Sequence, residues 1–322
     1  MMQRSGPWSG YWALEPADVF ELWNLIGQIG FRPGYIGKVL WRGLPSDSFE
    51  VKSSIIRQLE SEQIVVSEDE VAHRERQYLE NARRWGIGIT EYGRVPDLHL
   101  LSMLQHHGVP TRLIDVSYNP MTALWFACSD PRYLDEPGVL VSMTVSDSKI
   151  FWTTDLPHGQ ASSIGIVEQA QLRAALQYSE DHKQAVLVEP RVRDARMTVQ
   201  EGLFLTSSVP SAPSDGPVQG FPAGPDMPVY VDALKLDPQD VDYPNTGPTG
   251  VQVMGIVLTP EVKSQMSLYL SRNFNRSTRT MYPDMSGYAA AVQSGQLTFG
   301  PAEPEPIPEG TCFPAQWLAN FS

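Results

Sequence analysis

The densest set of side chains able to donate, accept or carry charge is Gln105-His106-His107-Gly108-Val109-Pro110-Thr111-Arg112-Leu113-Ile114-Asp115, with Ser117 two residues further on. It leads directly into the apolar run Asn119 to Cys128. A polar strip joined to a buried anchor is how a site is held rigid. In an extended segment alternate residues share a face, so Thr111, Leu113 and Asp115 point one way and Arg112 and Ile114 the other. Arg112 and Asp115 therefore need not pair. A lone histidine at a helix end is commonly a dipole-favoured cap. His106, Thr111, Arg112, Asp115 and Ser117 together, directly before a buried helix, raise a binding or catalytic site above that plainer account.

Two further segments carry chemistry. In Leu40-Trp41-Arg42-Gly43 an arginine ends an apolar strand beside Gly43, which lets another group approach the backbone closely. Its guanidinium is a rigid fork suited to phosphate or carboxylate; the plainer alternative is a pairing with a nearby Asp or Glu. In Arg196 to Phe204 polar residues end a β-prone stretch just before Gly202. Gln200 and Glu201 sit on opposite faces if extended, so only one can face a given cleft; the alternative is a strand edge protected by charge. Other patterns fail. Gly34-Tyr35-Ile36-Gly37-Lys38-Val39 has the outline of a phosphate loop, but Val39 stands where a Ser or Thr must hold magnesium. Ser146-Asp147-Ser148-Lys149 has serine-lysine spacing without its partner motifs.

The elements that position these residues follow from periodicity and capping. Ala17 to Ile29 puts Val19, Leu22, Trp23, Ile26 and Ile29 on one helical face. Gly37 to Gly43 reads as a short strand. Ser67-Glu68-Asp69-Glu70 matches a capping box opening a helix that runs to Trp85. Leu98 to His107 is a second helix, closed by Gly108, and Val109 to Val116 is strand or extended. Asn119-Pro120 caps a helix, Met121 to Ser129, that is apolar on nearly every face and must be buried. Val139 to Val145 predicts a central strand. Ile164 to Tyr178 predicts a helix, Ala185 to Val188 a strand, and Met197-Thr198-Val199 leads into a strand ending at Gly202 to Leu205. Gln252 to Leu258 is a strand and Pro260 to Leu270 a helix with proline at its start. Ser207 to Pro228, rich in Pro, Gly and Ser, reads as a long loop with little capacity to form a core. Irregular interleaving of strands and helices makes the class α+β. One domain spans 1–299, with the loop at 207–228, and 300–322 is an extended acidic, proline-rich tail.

Composition narrows the function classes. A hydrophobic content of 42% with eight Trp, twelve Tyr and eleven Phe specifies a globular chain. No apolar run approaches the roughly 20 residues needed to span a bilayer. The start lacks the features of a signal peptide, so a cytoplasmic location and no membrane partner are expected. Two cysteines, Cys128 and Cys312, are too few for a disulfide framework and lack metal-ligand spacing, and Cys128 is expected to be a small buried hydrophobe. A net charge of -13 argues against a chain whose main business is neutralising phosphates along nucleic acid.

Taken together the segments resemble the FRG domain family, named for a Phe-Arg-Gly tripeptide, from roughly Trp23 to Val292. The tripeptide reads Trp41-Arg42-Gly43 here. The family's Gln-His-x-Gly-x-Pro-Thr-Arg-Leu-Leu-Asp-Trp-Thr is matched from Gln105 through Asp115, with Ile114, Val116 and Ser117 as departures. Its Gln-x-Gly-x-Phe appears as Gln200, Gly202 and Phe204, and its Phe-Pro-Asp-Leu-x-Gly as Tyr282 to Gly287. The order of segments is also similar, more distantly, to ADP-ribosyltransferases of the Arg-Ser-Glu type. That resemblance implies a mixed, mostly antiparallel split sheet flanked by helices, with NAD as substrate and no metal. Arg42 would hold the NAD phosphates, with Gly43, Thr111, Arg112 and Ser117 also at the nucleotide. His106 and Thr111 would orient the ribose, Asp115 would position Arg112 or the nucleotide, and Gln200 or Glu201 would sit at the reacting sugar. Because the best family match falls on Gln200, which carries no charge, Asp115 or Asp284 is the alternative source of a carboxylate. The implied role is a bacterial toxin or phage-defence effector with an open acceptor, protein, nucleic acid or water. The alternative is a non-catalytic module binding a nucleotide or nucleic-acid end.

Overall fold

In the computed structural model the described residues are 7–8, 13–31, 37–91, 93–146, 167–189, 195–211, 216–225 and 251–293. The expected tail at 300–322 lies outside them, as do the first three residues, 164–166, of the predicted helix Ile164 to Tyr178. After the short strand β1 (Ala13–Leu14), α1 (Val19–Gly30) begins where the Asp18 carboxylate accepts from the backbone N–H groups of Phe20 and Glu21. β2 (Gly37–Leu44) carries the Trp41-Arg42-Gly43 tripeptide. α2 (Ser54–Ser61) was not legible as a helix; it buries Ile55, Ile56 and Leu59 on one face. Ser67 caps α3 (Glu68–Arg84), accepting from the Glu70 N–H. A small hairpin, β3 (Ile89–Thr90) and β4 (Gly93–Arg94), leads to α4 (Asp97–His106).

The polar strip then runs extended into β5 (Ile114–Ser117), and Asn119 accepts from the Met121 N–H to start α5 (Pro120–Cys128). A 3-10 turn, Pro131–Tyr133, precedes β6 (Gly138–Ser146). There follow α6 (Val167–His182), β7 (Val186–Val188), α7 (Ala195–Val199), β8 (Gly202–Thr206), β9 (Ala223–Pro225) and β10 (Val251–Leu258). The chain continues through α8 (Pro260–Asn273), α9 (Thr278–Met281) and α10 (Met285–Gln293). Two expectations are corrected. Met197-Thr198-Val199 is helical, because Gln200 and Glu201 donate their N–H groups back to the Arg196 and Thr198 carbonyls instead of joining a ladder. The described part of the Ser207 to Pro228 segment, which leaves out 212–215 and 226–228, does enter the core: Val218 and Phe221 are buried, and the Val51 and Gln219 N–H groups pin 217–219 against Val51.

The protein is mixed α+β, with one mostly antiparallel sheet flanked by helices, in the order β1-β10-β6-β2-β5-β8-β7, and β9 beside β10. β1 and β9 join β10 in parallel; every other pairing in this sheet is antiparallel. β2 and β6 are in register over their whole length, from Gly37 opposite Ser146 to Leu44 opposite Val139. The joint between β2 and β5 is a single pair, Trp41 opposite Ser117. Beyond it the sheet opens.

Alternation along the strands separates two cores. Leu40, Ile114, Val116, Val141, Leu203, Leu205 and Val253 face one side. On the other, α1, α5 and α8 cover Trp41, Leu140 and Ile256 of one half-sheet. α3 and α4 cover Val188 and Phe204 of the other half, with Leu113 just ahead of β5. A cleft is left between the end of α4 and α5, beside the β2/β5 joint, whose residues Trp41 and Ser117 do not line it. Among the described residues no helix is long and apolar enough to cross a membrane.

Candidate functional site

Gly43 explains how α5 comes to lie on the sheet. A Cβ there would sit 1.9 Å from the Ala123 carbonyl oxygen and 2.7 Å from the Ala127 nitrogen. The close approach that the tripeptide's glycine allows is thus taken up by the α5 backbone. This fixes Trp125 and Phe126 against the cleft, a cavity of ≈ 890 Å³. Its floor and one wall come from Gly43, Trp125 and Phe126, and Gln105 and His106 at the end of α4 form the facing wall. Arg196 and Tyr282 close it. The Tyr282 ring lies edge-on to Trp125 at 5.6 Å between centroids, and the Arg196 guanidinium sits 4.2 Å from the Tyr282 ring centre. Burial raises the Tyr282 pKa, with Arg196 opposing.

Arg42, one residue past the joint, spans the opening. It donates to the Asp115 main-chain carbonyl at 2.5 Å and lies 3.9 Å from the Asp115 carboxylate. Burial lowers its pKa, Asp115 opposing and Arg57 adding to the effect. Its Nε is buried with no hydrogen-bond partner among the described residues. Gln105 couples this arginine-aspartate pair to the cavity: its Nε2 donates to Asp115 at 2.9 Å, while its Oε1 accepts from the Thr111 hydroxyl at 2.8 Å. Thr111 is fully buried, so its role here is to hold Gln105 and the Leu113 N–H in place.

Arg112 points away, as alternation requires. Its Nε donates to Glu75 at 2.7 Å and its NH1 to Glu68 at 2.9 Å, and the Ser207 carbonyl accepts a further bond. Burial alone would lower the Arg112 pKa, but Glu75 and Glu68 outweigh it and leave it raised. Burial raises the Glu75 carboxyl, only partly offset by Arg112. Arg112 is not brought to the cleft, and Asp115 does not position it.

Ser117 is the centre of the joint. It stands opposite Trp41 on one side and opposite Gly202 on the other, and its hydroxyl donates to the Gln200 carbonyl at 2.7 Å. Gln200 and Glu201 occupy the turn between α7 and β8, so strand alternation does not apply to them. The Gln200 amide donates to the Met281 carbonyl at 2.9 Å. Glu201 has φ of 49°, a left-handed conformation that usually falls to glycine at a helix end and costs a larger side chain on the order of 1 kcal/mol. Its carboxylate accepts from Asn119 at 2.7 Å and from Arg276 at 3.2 Å, with the side chain still 46% exposed. Arg196, Arg276 and Tyr282 were not identified as site residues from the sequence. Arg196 and Tyr282 lie in segments already noted; Arg276 lies outside them.

The family model for the FRG domain matches residues 37–136. That span takes in Trp41-Arg42-Gly43 and the whole strip from Gln105 to Asp115, and it ends just before β6. The chain carries an FRG domain there; the segments at Gln200 and Tyr282 lie beyond the match. No curated protein and no solved structure matches this chain.

Proposed function

We propose that the cleft binds NAD and transfers its ADP-ribosyl group to an acceptor. One observation carries this reading: Trp41 and Gly202 stand opposite Ser117 at the joint, so Arg42 just after the one and Glu201 in the turn just before the other gather around Ser117, beside the cavity whose lining they do not enter. This is the Arg-Ser-Glu order of the ADP-ribosyltransferases named above. NAD fits the residues present. The Arg42 guanidinium, its Nε buried but its side chain 20% exposed, offers a phosphate oxygen a charge-assisted bond through its accessible part. The aromatic wall of Trp125, Phe126 and Tyr282 offers a planar ring its faces and edges.

In this reaction the bond between the ribose C1′ and the pyridine nitrogen breaks with its electron pair, releasing neutral nicotinamide through an oxocarbenium-like state. A carboxylate on the ribose hydroxyls steadies that charge. Glu201 takes that place: it is charge-compensated by Arg276 and Asn119 but remains open to solvent. The strained backbone at Glu201 supports a functional reason for a glutamate at a glycine-favoured position.

The same compensation favours a second reading, a nucleotide-binding module without turnover, in which Glu201 serves only to hold Arg276 and the start of α5. Incubation of the purified protein with NAD, followed by quantitation of nicotinamide, separates the two. Release by wild type that falls at least about 100-fold in Glu201→Gln supports the transferase. Saturable NAD binding without release, lost in Arg42→Ala, supports the module.

A further inference from the structure

The wall of the cleft carries a titratable pair, His106 and Asp284, placed to move a proton. His106 ends α4 at the cavity wall, its side chain 8% exposed, and its Nε2 lies 3.6 Å from Asp284 Oδ2. Asp284 is fixed through its other oxygen, which accepts from the Ser286 hydroxyl at 2.6 Å and from the Gly287 N–H at 2.6 Å. Oδ2 is buried on the side of the imidazole, without a hydrogen bond among the described residues. The separation is a few tenths of an ångström beyond a hydrogen bond, within ion-pair reach.

The Ser286 hydrogen bond, helped by Gly287, Arg196 and His106, holds the Asp284 carboxyl below the usual carboxylate range, so it is charged at neutral pH. Other groups face the same space. His107 meets His106 edge-on at 5.0 Å, Arg196 and Tyr282 approach from α7 and the α9–α10 turn, and Asp130 and Arg132 lie on the cavity lining. A carboxylate locked through one oxygen with the other toward an imidazole fixes the ring's orientation and stabilises its protonated form.

Resting on the ADP-ribosyl reading, the geometry points to His106 as the group that takes the acceptor's proton, with Asp284 as its positioning residue, and hence to an acceptor that gives up a proton, of which a hydroxyl is the simplest. A carboxylate acceptor carries no proton at neutral pH and needs no such pair. The step balances: the C1′–N bond breaks and nicotinamide leaves neutral, the acceptor oxygen bonds to C1′, and its proton passes to His106 and then to solvent. Water is the smallest such acceptor and methanol a probe for an aliphatic hydroxyl.

The test is nicotinamide release from NAD between pH 5 and 9, in water and in aqueous methanol, with the ADP-ribosyl product identified by mass. For wild type, kcat falls toward acid pH as the imidazole protonates, and methyl ADP-ribose appears. His106→Gln loses about 100-fold in kcat with KM little changed, and its acid limb disappears. Asp284→Asn keeps the limb but moves it to lower pH, because a neighbouring negative charge no longer favours imidazolium. Should the variants fail to fold, the wild-type profile decides: an acid limb in kcat supports the assignment and a flat kcat overturns it. A His106→Gln protein with unchanged kcat and limb overturns the assignment while the ADP-ribosyl reading stands. No release from wild type at any pH overturns both.

Discussion

Replacing Arg112 by methionine separates a structural role for the polar strip's arginine from a ligand-binding one. Arg112 is 3% exposed and its partner Glu75 is 2% exposed. Methionine fills much of the volume but leaves the Glu75 carboxylate, which now accepts from both the Arg112 Nε and backbone N–H, buried beside an apolar side chain. Breaking a buried pair by removing one partner costs ~3–5 kcal/mol, well above the usual effect of a point change. The pH dependence gives a second handle. Burial already raises the folded-state pKa of Glu75 above its ordinary value, with Arg112 opposing. A carboxyl raised in the folded state favours folding below its unfolded pKa and loses that contribution as pH rises through the folded pKa. Without Arg112 the gap widens, so the penalty grows as pH rises and shrinks as pH falls toward about 4.3, the unfolded value for glutamate. Urea denaturation at pH 7 and pH 5, with the slope m unchanged, measures both. A stability change within ~0.5 kcal/mol at pH 7, or a penalty that grows toward acid pH, refutes this account and returns Arg112 to the ligand.

Gly43→Ala places a methyl group 1.9 Å from the Ala123 carbonyl, so α5 must move off the sheet; thermal denaturation is expected to show a loss of ~3 kcal/mol or more, and a neutral result contradicts the packing described. Lys263, fully buried, donates through Nζ to the Pro45, Tyr133 and Glu136 carbonyls. Lys263→Met strands three acceptors, and a loss of at least ~3 kcal/mol in urea denaturation is expected. The Cys128 thiol is buried and its pKa is pushed up to about 12. In a Cys312→Ser background it should resist a thiol reagent at pH 8 until the protein is denatured, and rapid native labelling would contradict its burial.

Local signals carried much of the framework. The Asn119-Pro120 start of α5, the apolar face of α1 and the β-branched runs of β6 and β10 each act within a few residues, so periodicity and capping suffice to place them. What was not legible depends on distant partners. Glu75 meets Arg112 across 37 residues, and Arg276 meets Glu201 across 75. α2 has only one short apolar face in polar surroundings, and its burial against Val71 of α3 decides its state. At α7 the β-prone Met197-Thr198-Val199 is overridden by backbone bonds that turn the chain into β8. The glycine of the tripeptide was legible as a close approach, but that the approaching group is α5 needed the sheet to be assembled.

The central claim is that Arg42, Ser117 and Glu201 frame one nucleotide site across the β2/β5 opening. A crystal structure with a hydrolysis-resistant NAD analogue tests it directly. A phosphate oxygen is expected within hydrogen-bond distance of the Arg42 guanidinium, with a planar ring against Trp125 or Tyr282 and a ribose hydroxyl on Glu201. An analogue bound elsewhere, or absent from the cleft at saturating concentration, contradicts it.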